Sequence, residues 1–246
     1  MSEPTPEETP TSAALQVRIL QQGADFVAVS KPSGLLVHRD EHHPDEAAAV
    51  QLTRDAIGQY VYPFHRLDRA TSGILLFGLS SRAAADLQKC LSAEDAHKDY
   101  LALMRYPGSN RELPATWSCQ LPLSDDKDVA RDARTDFEVL EEFDRVALVR
   151  VRIFTGRYHQ IRRHANLCGR HVIGDTTHGK GRINQYYRDH YGLHRLFLHL
   201  ERVDMRHPFP SNGGPADGGG ERLVIEDPLA PELAEVLAKL RATEGS

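Results

Sequence analysis

The 246-residue sequence has little cysteine and no long hydrophobic run. Its three cysteines, Cys90, Cys119 and Cys168, are widely spaced and include no C-x-x-C pair. Neither a disulfide framework nor a cysteine zinc site is therefore expected. The longest apolar stretch, Ile74 to Leu79, is far too short to cross a membrane. No charged segment followed by an apolar one opens the chain, so we expect a cytoplasmic protein that neither enters a membrane nor is exported.

The net charge at first argues against a polyanionic partner. The chain carries 30 Lys and Arg against 35 Asp and Glu, a formal charge of −5. The distribution is uneven, however, because residues Arg150 to Arg206 contain twelve basic and four acidic side chains. That segment is +8 and the remainder −13. Eleven of the twelve basic residues are arginine, which suits bidentate binding of phosphate, so nucleic acids and small phosphorylated ligands are both candidate partners.

The order of the predicted elements indicates an α+β fold. Strand-like segments mostly follow one another, which favours a mixed, mainly antiparallel sheet with flanking helices over a doubly wound sheet. The patterns predict helices over residues 47–57, 80–91, 159–168 and 231–241. Residues 1–14 are rich in Pro, Thr and Glu and are predicted to form a disordered acidic tail. Residues 15–242 are predicted to form one domain, with a flexible Gly/Pro-rich loop at 207–220.

The segment His65–Gly73 (HRLDRATSG) contains the first candidate catalytic residue. Asp68 lies close to Arg66 and Arg69, just before a strand-like run. A carboxylate beside guanidinium groups stays ionised and oriented, which suits a nucleophile or a base. The same pattern also fits a loop salt bridge in which Asp68 only holds one of the two arginines. The segment alone does not separate these interpretations.

A second segment, Thr155–His164 (TGRYHQIRRH), concentrates basic side chains at the start of a predicted helix. Arg162 follows His159 by three residues, so both lie on one helix face. His159 and His164 are five residues apart, which is not the spacing of paired metal ligands on a helix. No acidic residue lies in the segment, so no metal site is predicted. A solvated basic helix is the alternative interpretation.

With two shorter motifs, these segments resemble the RluA-type pseudouridine synthase family. The family's motifs occur in order as K-P-x-G at 31–34, H-R-L-D with T-S-G at 65–73, K-x-Y-x-A at 98–102, and T-G-R-x-H-Q-I-R-x-H with I-x-G-D at 155–175. One position departs from the pattern, since His171 stands where many members have proline. We expect this change to be tolerated. Four ordered motifs make the resemblance specific.

The resemblance implies an enzyme that isomerises uridine to pseudouridine within RNA, without a metal or other cofactor. It also implies a single pseudouridine synthase catalytic domain with a central active-site cleft. Asp68 matches the essential aspartate, which either attacks the nucleoside or abstracts a ribose proton. Tyr100 matches the active-site tyrosine, and Arg162 matches the arginine that pairs with the aspartate. The uridine must be flipped out of its stack, and Arg66 matches an arginine that occupies the vacated space.

The resemblance suggests further contacts with RNA. We expect the substrate or its phosphates to be bound by four other side chains, namely Lys98, Arg157, His159 and Arg163. Gly174 and Asp175 are expected to be structural. Segments 64–80 and 192–199 are most similar to tRNA-directed members that modify uridine 65, near the acceptor and T stems. A 23S rRNA enzyme and a catalytically silent RNA-binding domain are the alternatives, and we expect a monomer.

Overall fold

The computed structural model describes residues 16–39, 41, 43–105, 114–125, 127–209 and 221–244. The predicted acidic tail and most of the predicted loop at 207–220 lie outside these residues. Within them, the helices are α1 Ala49–Ile57, α2 Ser81–Leu91, α3 Gln160–Leu167, α4 Gly181–Tyr191 and α5 Pro231–Glu244. None of these helices is long and apolar enough to cross a membrane.

Most of the strands in the described residues join one large sheet. In chain order the strands are β1 Arg18–Gln22, β2 Phe26–Lys31, β3 Tyr62–Pro63, β4 Ser72–Gly78, β5 His97–Arg105, β6 Thr116–Cys119, β7 Leu123–Ser124, β8 Ala130–Arg131, β9 Thr135–Glu142, β10 Val146–Ile153, β11 Leu198–Arg206 and β12 Arg222–Glu226. The large sheet has the order β1-β2-β4-β11-β5-β10-β9-β6, with β3 added to β4 and β12 added to β11. Strands β7 and β8 form a separate pair.

The sheet is mixed and mainly antiparallel, which confirms the predicted fold class. Among the named strands of the described residues, only β4 and β11 pair in parallel, with His199 opposite Ser72 and Leu200 opposite Gly73. All other named strand pairs are antiparallel. The parallel pair lies in the middle of the sheet and follows directly on the HRLD segment, so the sheet centre positions Asp68.

Helices cover both faces of the sheet, and β5 contributes to both cores. Tyr100 and Met104 of β5 pack in a cluster that includes residues of α2 and α3. Leu101 and Leu103, whose side chains point the opposite way, pack in a cluster that includes residues of α4 and α5. Because β4 is also enclosed on both sides, every one of its residues is buried. This explains the uninterrupted apolar run that starts at Ile74.

The predicted helices are present, but α4 was not predicted. Ser80 caps α2 as expected, since its Oγ accepts the backbone N–H of Ala83 at 3.1 Å. Helix α4 (GRINQYYRDHY) contains glycine, asparagine and three tyrosines, which are weak helix formers. Its inner face consists of Ile183, Tyr187 and Tyr191, which pack in the α5 core cluster. Tertiary packing therefore stabilises this helix, and local propensity does not reveal it.

Gly73 allows β4 and β11 to approach each other. Its φ of +115° is unfavourable for any residue with a side chain. A Cβ atom at this position would lie 2.3 Å from the carbonyl oxygen of Leu200 and 2.5 Å from its nitrogen. The backbone of β11 would have to move to accommodate even a methyl group. The T-S-G part of the motif is therefore required by the fold.

We expect Gly73→Ala to destabilise the protein, because it combines an unfavourable φ with a backbone clash. The expected loss is about 3 kcal/mol, which corresponds to a Tm lower by roughly 6–12 °C in a chain of this size. Thermal denaturation followed by circular dichroism measures it. Gly181→Ala is the matched control, since no atom lies within 4 Å of the added methyl group. Equal Tm values for the two variants would contradict this explanation.

Candidate active site

A cleft of about 840 Å³ opens where the HRLD segment, α2, β5 and the start of α3 meet. It brings together seven of the eight side chains singled out from the sequence, although they come from three separate segments. These seven are Arg66, Asp68, Lys98, Tyr100, Arg157, His159 and Arg162. Its volume lies within the range of small-molecule sites, and a nucleoside is of suitable size.

Arg163 is the exception among the predicted site residues. Its Nη1 donates to the carbonyl oxygen of Ser124 at 2.9 Å, and it does not line the cleft. Neighbouring residues of a helix point about 100° apart, so Arg162 and Arg163 cannot both face Asp68. The predicted RNA contact of Arg163 is therefore directed to the surface near β7.

The K-P-S-G motif holds the backbone of the Asp68 segment through hydrogen bonds. The Nζ of Lys31 donates to the carbonyl oxygens of Pro32 at 2.9 Å, Leu35 at 2.8 Å and Arg69 at 3.2 Å. Ser33 Oγ donates to the carbonyl oxygen of Ala70 at 2.8 Å. These bonds join the two motifs although more than thirty positions separate them in the sequence.

Lys31 is fully buried, which is costly for a lysine side chain. Burial first, and then the neighbouring charge of Arg195, lowers the pKa of Lys31 to about 7. The three carbonyl oxygens around its Nζ offset part of this cost. The lysine of the motif is thus part of the scaffold that shapes the HRLD segment, and it does not line the cleft.

His65 also has a structural part in the H-R-L-D motif. Its Nε2 accepts the backbone N–H of Leu76 in β4 at 2.8 Å. Burial, with a smaller effect from the charge of Lys98, lowers the pKa of His65 to about 3. The imidazole therefore stays neutral and can keep accepting this hydrogen bond at physiological pH.

Arg162 binds two carboxylates, and its stronger partner is Asp175. Its Nε and Nη2 donate to the two carboxylate oxygens of Asp175, both at 2.7 Å. Its Nη1 lies 3.4 Å from Oδ2 of Asp68. Burial opposes ionisation of Asp175, but the hydrogen bonds from Arg162 outweigh it and hold the pKa of Asp175 below its usual value. Asp175, expected to be only structural, therefore orients a predicted catalytic residue.

A second side chain, His159, also faces Asp68. His159 caps the start of α3 with a left-handed backbone, φ +51°. Its Nε2 lies 3.6 Å from Oδ2 of Asp68, and its Nδ1 lies 3.1 Å from Nε2 of His178. The exposed ring of Tyr158 stacks on His159 at 3.8 Å. No pattern in the sequence singles out His178.

Tyr100 and Lys98 form the part of the cleft contributed by β5. They are two residues apart on one strand, so their side chains point to the same face. Burial, and then the negative charge of Asp68, raises the pKa of Tyr100, so its phenol stays protonated. Burial lowers the pKa of Lys98. Among the described residues, the side-chain ammonium group of Lys98 has no hydrogen-bond or ion-pair partner, so an anionic group of a ligand could bind there.

Residues 150–206 present fewer unpaired positive charges in the folded protein than their sequence suggests. Among the described residues, half of the twelve cations of this segment form ion pairs, mostly with acidic residues outside residues 150–206. The paired cations are Arg150, Arg152, Arg162, Arg195, Arg202 and Arg206. The charge of +8 is therefore partly used to hold the sheet and its helices together. Arg157 lines the cleft, where it can contact a polyanion.

In the part of the chain that the structure describes, no group of three or more His, Cys, Asp or Glu side chains is arranged to hold a metal ion.

We expect Asp175→Asn to destabilise the protein strongly at neutral pH, because the buried Arg162 cation loses its charged partner. The expected loss at pH 7 is about 3–5 kcal/mol. Since the pKa of Asp175 is lowered by folding, its contribution is present at neutral pH and disappears as pH falls below the usual carboxyl value, about 4. Urea denaturation should therefore give free energies of unfolding for the wild-type and Asp175→Asn proteins that differ at neutral pH and become similar in acid.

The matched control is Asp55→Asn, which alters an exposed aspartate paired with Arg54 on the helix surface. Such surface pairs contribute little, so this variant should follow the wild-type protein at every pH. A constant difference between Asp175→Asn and wild type across the pH range would show that the ionised Asp175 is not what stabilises Arg162.

Comparison with known proteins places this cleft in a family. The model of the RNA pseudouridylate synthase family matches residues 25–167. The tRNA pseudouridine synthase C of Vibrio vulnificus is 36% identical, covering 78% of this chain and 86% of that protein. The protein of the same name from Pasteurella multocida is 38% identical, covering 79% of this chain and 87% of that protein.

Solved structures agree on the fold. Human RNA Pseudouridylate Synthase Domain Containing 4 superposes with a TM-score of 0.72 at 20% identity, covering 91% of this chain and 93% of that chain. Human RNA Pseudouridylate Synthase Domain Containing 1 gives 0.65 at 22% identity, covering 93% and 96%. The match to the family model over residues 25–167, with the relatives that are 36% and 38% identical, shows that the chain belongs to the RNA pseudouridylate synthase family.

Proposed function

We propose that the protein isomerises a uridine of tRNA to pseudouridine and that Asp68 is its catalytic residue. The observation that carries the proposal is the setting of Asp68. Arg162 and His159 both approach its Oδ2, and within the described residues no hydrogen bond reaches Oδ1. The carboxylate lines a cleft that suits a flipped nucleoside. One carboxylate oxygen is thus held while the other is available to the substrate.

The chemistry requires only groups that this cleft supplies. The N1–C1′ bond of the nucleoside breaks and a C5–C1′ bond forms, while the proton on C5 is lost and N1 gains one. Because substrate and product are isomers, no oxidant, reductant or second substrate is needed. The Asp68 carboxylate can bond to the electron-poor C1′ as in glycosidases, or it can remove a ribose proton to give a glycal. We propose that neither route uses a metal or another cofactor.

The remaining cleft residues are proposed to bind and position the nucleotide. The neutral ring of Tyr100 is suited to stacking on the uracil, and it can take up the C5 proton only if its own proton leaves. Lys98 and Arg157 are proposed to contact phosphates that flank the target. Arg66, whose guanidinium lies 5.9 Å from the ring centre of Tyr158, is proposed to occupy the space left by the flipped base.

The choice of tRNA rests on the relatives, which are named tRNA pseudouridine synthase C and cover most of this chain. We propose uridine 65, near the acceptor and T stems, as the target.

We also propose that residues 15–242 form one catalytic domain, because the ten strands of the large sheet extend from Arg18 to Glu226. We propose that this domain acts as a monomer in the cytoplasm.

We expect Asp68→Asn to abolish pseudouridine formation while tRNA binding is retained, because the amide keeps the shape of the side chain but lacks the carboxylate. Tritium release from tRNA labelled at C5 of uridine measures turnover, and filter binding measures affinity. The rate should fall by at least about 10³-fold, the order of effect expected on removing an essential nucleophile or base.

Asp86→Asn is the control, because Asp86 lies on α2 near the cleft but does not line it. This variant should retain full activity. Full activity of Asp68→Asn would refute the proposed role of Asp68. Tight tRNA binding by the wild-type protein, with no pseudouridine in any RNA tested, would instead identify a catalytically silent RNA-binding protein.

A further inference from the structure

One short loop contacts both side chains that approach Asp68. Its first residue, Asp175, holds Arg162 through two hydrogen bonds of 2.7 Å. Its last residue, His178, places Nε2 3.1 Å from Nδ1 of His159. The two ends of the loop are tied together, since the backbone N–H of His178 donates to Oδ1 of Asp175 at 2.9 Å. The positions of Arg162 and His159 are therefore linked.

The His178–His159 contact determines which ring nitrogens carry protons. A neutral imidazole has one N–H donor and one acceptor nitrogen. If His159 donated from Nδ1 to His178, its bare Nε2 would face the carboxylate oxygen of Asp68, and two acceptors would oppose each other. If His178 donates from Nε2 to Nδ1 of His159, then Nε2–H of His159 points toward Oδ2 of Asp68. Only the second arrangement gives each contact a donor and an acceptor.

We propose that His178 is a positioning residue, which donates to His159 and thereby keeps the His159 Nε2–H directed at Oδ2 of Asp68. This inference rests on the proposed function, because it assumes that Asp68 is the catalytic residue. With Oδ2 bound by His159 and Arg162, the other carboxylate oxygen faces the nucleoside. The 3.6 Å separation between His159 and Asp68 is long for a hydrogen bond, and such contacts often shorten when substrate binds.

His178 acts through His159 and has no direct contact with the cleft. His159 lines the cleft, whereas His178 does not. His178 is therefore not placed to touch the substrate, and any effect on the reaction must pass through its neighbours. A positioning residue differs from a catalytic one in this respect, because its replacement should change the rate of the reaction and leave the affinity for tRNA nearly unchanged.

Burial favours the neutral form of both rings. His159 is packed between the HRLD segment, α3 and the 175–178 loop, which present to it Asp68, Arg162, His178 and Asp175. Burial is the largest effect and lowers the pKa of His159, although the two carboxylates oppose it. Burial lowers the pKa of His178 as well. A neutral His178 can donate to His159, as the proposed arrangement requires.

The test compares His178→Gln with His178→Asn. The amide nitrogen of glutamine reaches about the position of Nε2 and can donate to His159, whereas that of asparagine is too short. We expect single-turnover pseudouridine formation in tRNA to be close to wild type for the glutamine variant and about ten-fold slower for the asparagine variant, a loss of the size that small misplacements cause. The tRNA dissociation constant should stay within about two-fold.

A double-mutant cycle with His159→Asn identifies the route of the effect. Asparagine tolerates the left-handed backbone at position 159 but cannot reach Asp68 and His178 together. If His178 acts only through His159, adding His178→Asn to this variant should cause no further loss of rate. If the rate losses of the two single variants instead multiply in the double variant, His178 has a separate structural role and the proposal is overturned.

The pH dependence provides a second readout. Without the His178 donor, His159 can take a second proton more easily, and the imidazolium would pair with Asp68. The rate of His178→Asn should therefore fall at a higher pH than the rate of the wild-type and glutamine proteins. A general loss of packing would lower the rate equally across the pH range, and that result would contradict the proposal.

Nitrogen NMR of the histidine rings tests the proton positions without turnover. We expect an Nε2–H tautomer for both His159 and His178, and an Nδ1–H tautomer at His159 would overturn the proposal. If the wild-type protein shows the expected tautomers but forms no pseudouridine, the proposed function fails while the hydrogen-bond arrangement stands. If it is active and the glutamine and asparagine variants are equally fast, only the role of His178 is refuted.

Discussion

The ion pair between Arg162 and Asp175 is the interaction on which the geometry of the cleft depends. A buried guanidinium without a charged partner is strongly unfavourable, so Asp175 fixes the plane of Arg162 by binding two of its nitrogens. The third nitrogen is left to face Asp68. Asp175 is itself fixed, because its backbone oxygen accepts the side-chain amide of Asn184 from α4 at 2.8 Å. A helix remote from the HRLD segment thus helps to position its aspartate.

Lys31 and Ser33 of the K-P-S-G segment give further support, because they hold the backbone that follows Asp68. The HRLD segment is therefore fixed at its backbone by one motif, and the side chain of Asp68 is held by another. Between these supports, the carboxylate retains one oxygen that no described residue binds. This arrangement agrees with the general need to preorganise a reactive group while leaving it accessible to substrate.

Local sequence patterns predicted the helices with clear caps or periodicity and the mainly antiparallel sheet. The family resemblance supplied Asp68, Tyr100 and Arg162, which the fold brings to one cleft although 94 positions separate the first and last. Asp175 was expected to be only structural and His178 was not singled out, because their contacts with Arg162 and His159 depend on the fold, and spacing along the chain does not encode them. The same limit applies to Arg163, which shares the motif with Arg162 but points elsewhere.

The positive charge of residues 150–206 also depends on contacts that only the folded protein shows. The excess of arginine in residues 150–206 correctly suggested a phosphate-bearing partner, but six of its cations pair with acids inside the protein. Most of those acids lie on strands and helices outside the segment, so only the folded arrangement shows which cations remain for RNA. The acidic remainder of the chain is therefore partly the structural complement of the basic segment.

The central claim is that this cleft modifies a uridine of tRNA. The most direct test is to map pseudouridines by carbodiimide-adduct primer extension in tRNA and 23S rRNA from cells that lack this protein. We predict the loss of a stop at uridine 65 of tRNA, with the 23S rRNA stops unchanged. Intact tRNA stops together with a missing 23S rRNA stop would contradict the account and assign the enzyme to ribosomal RNA.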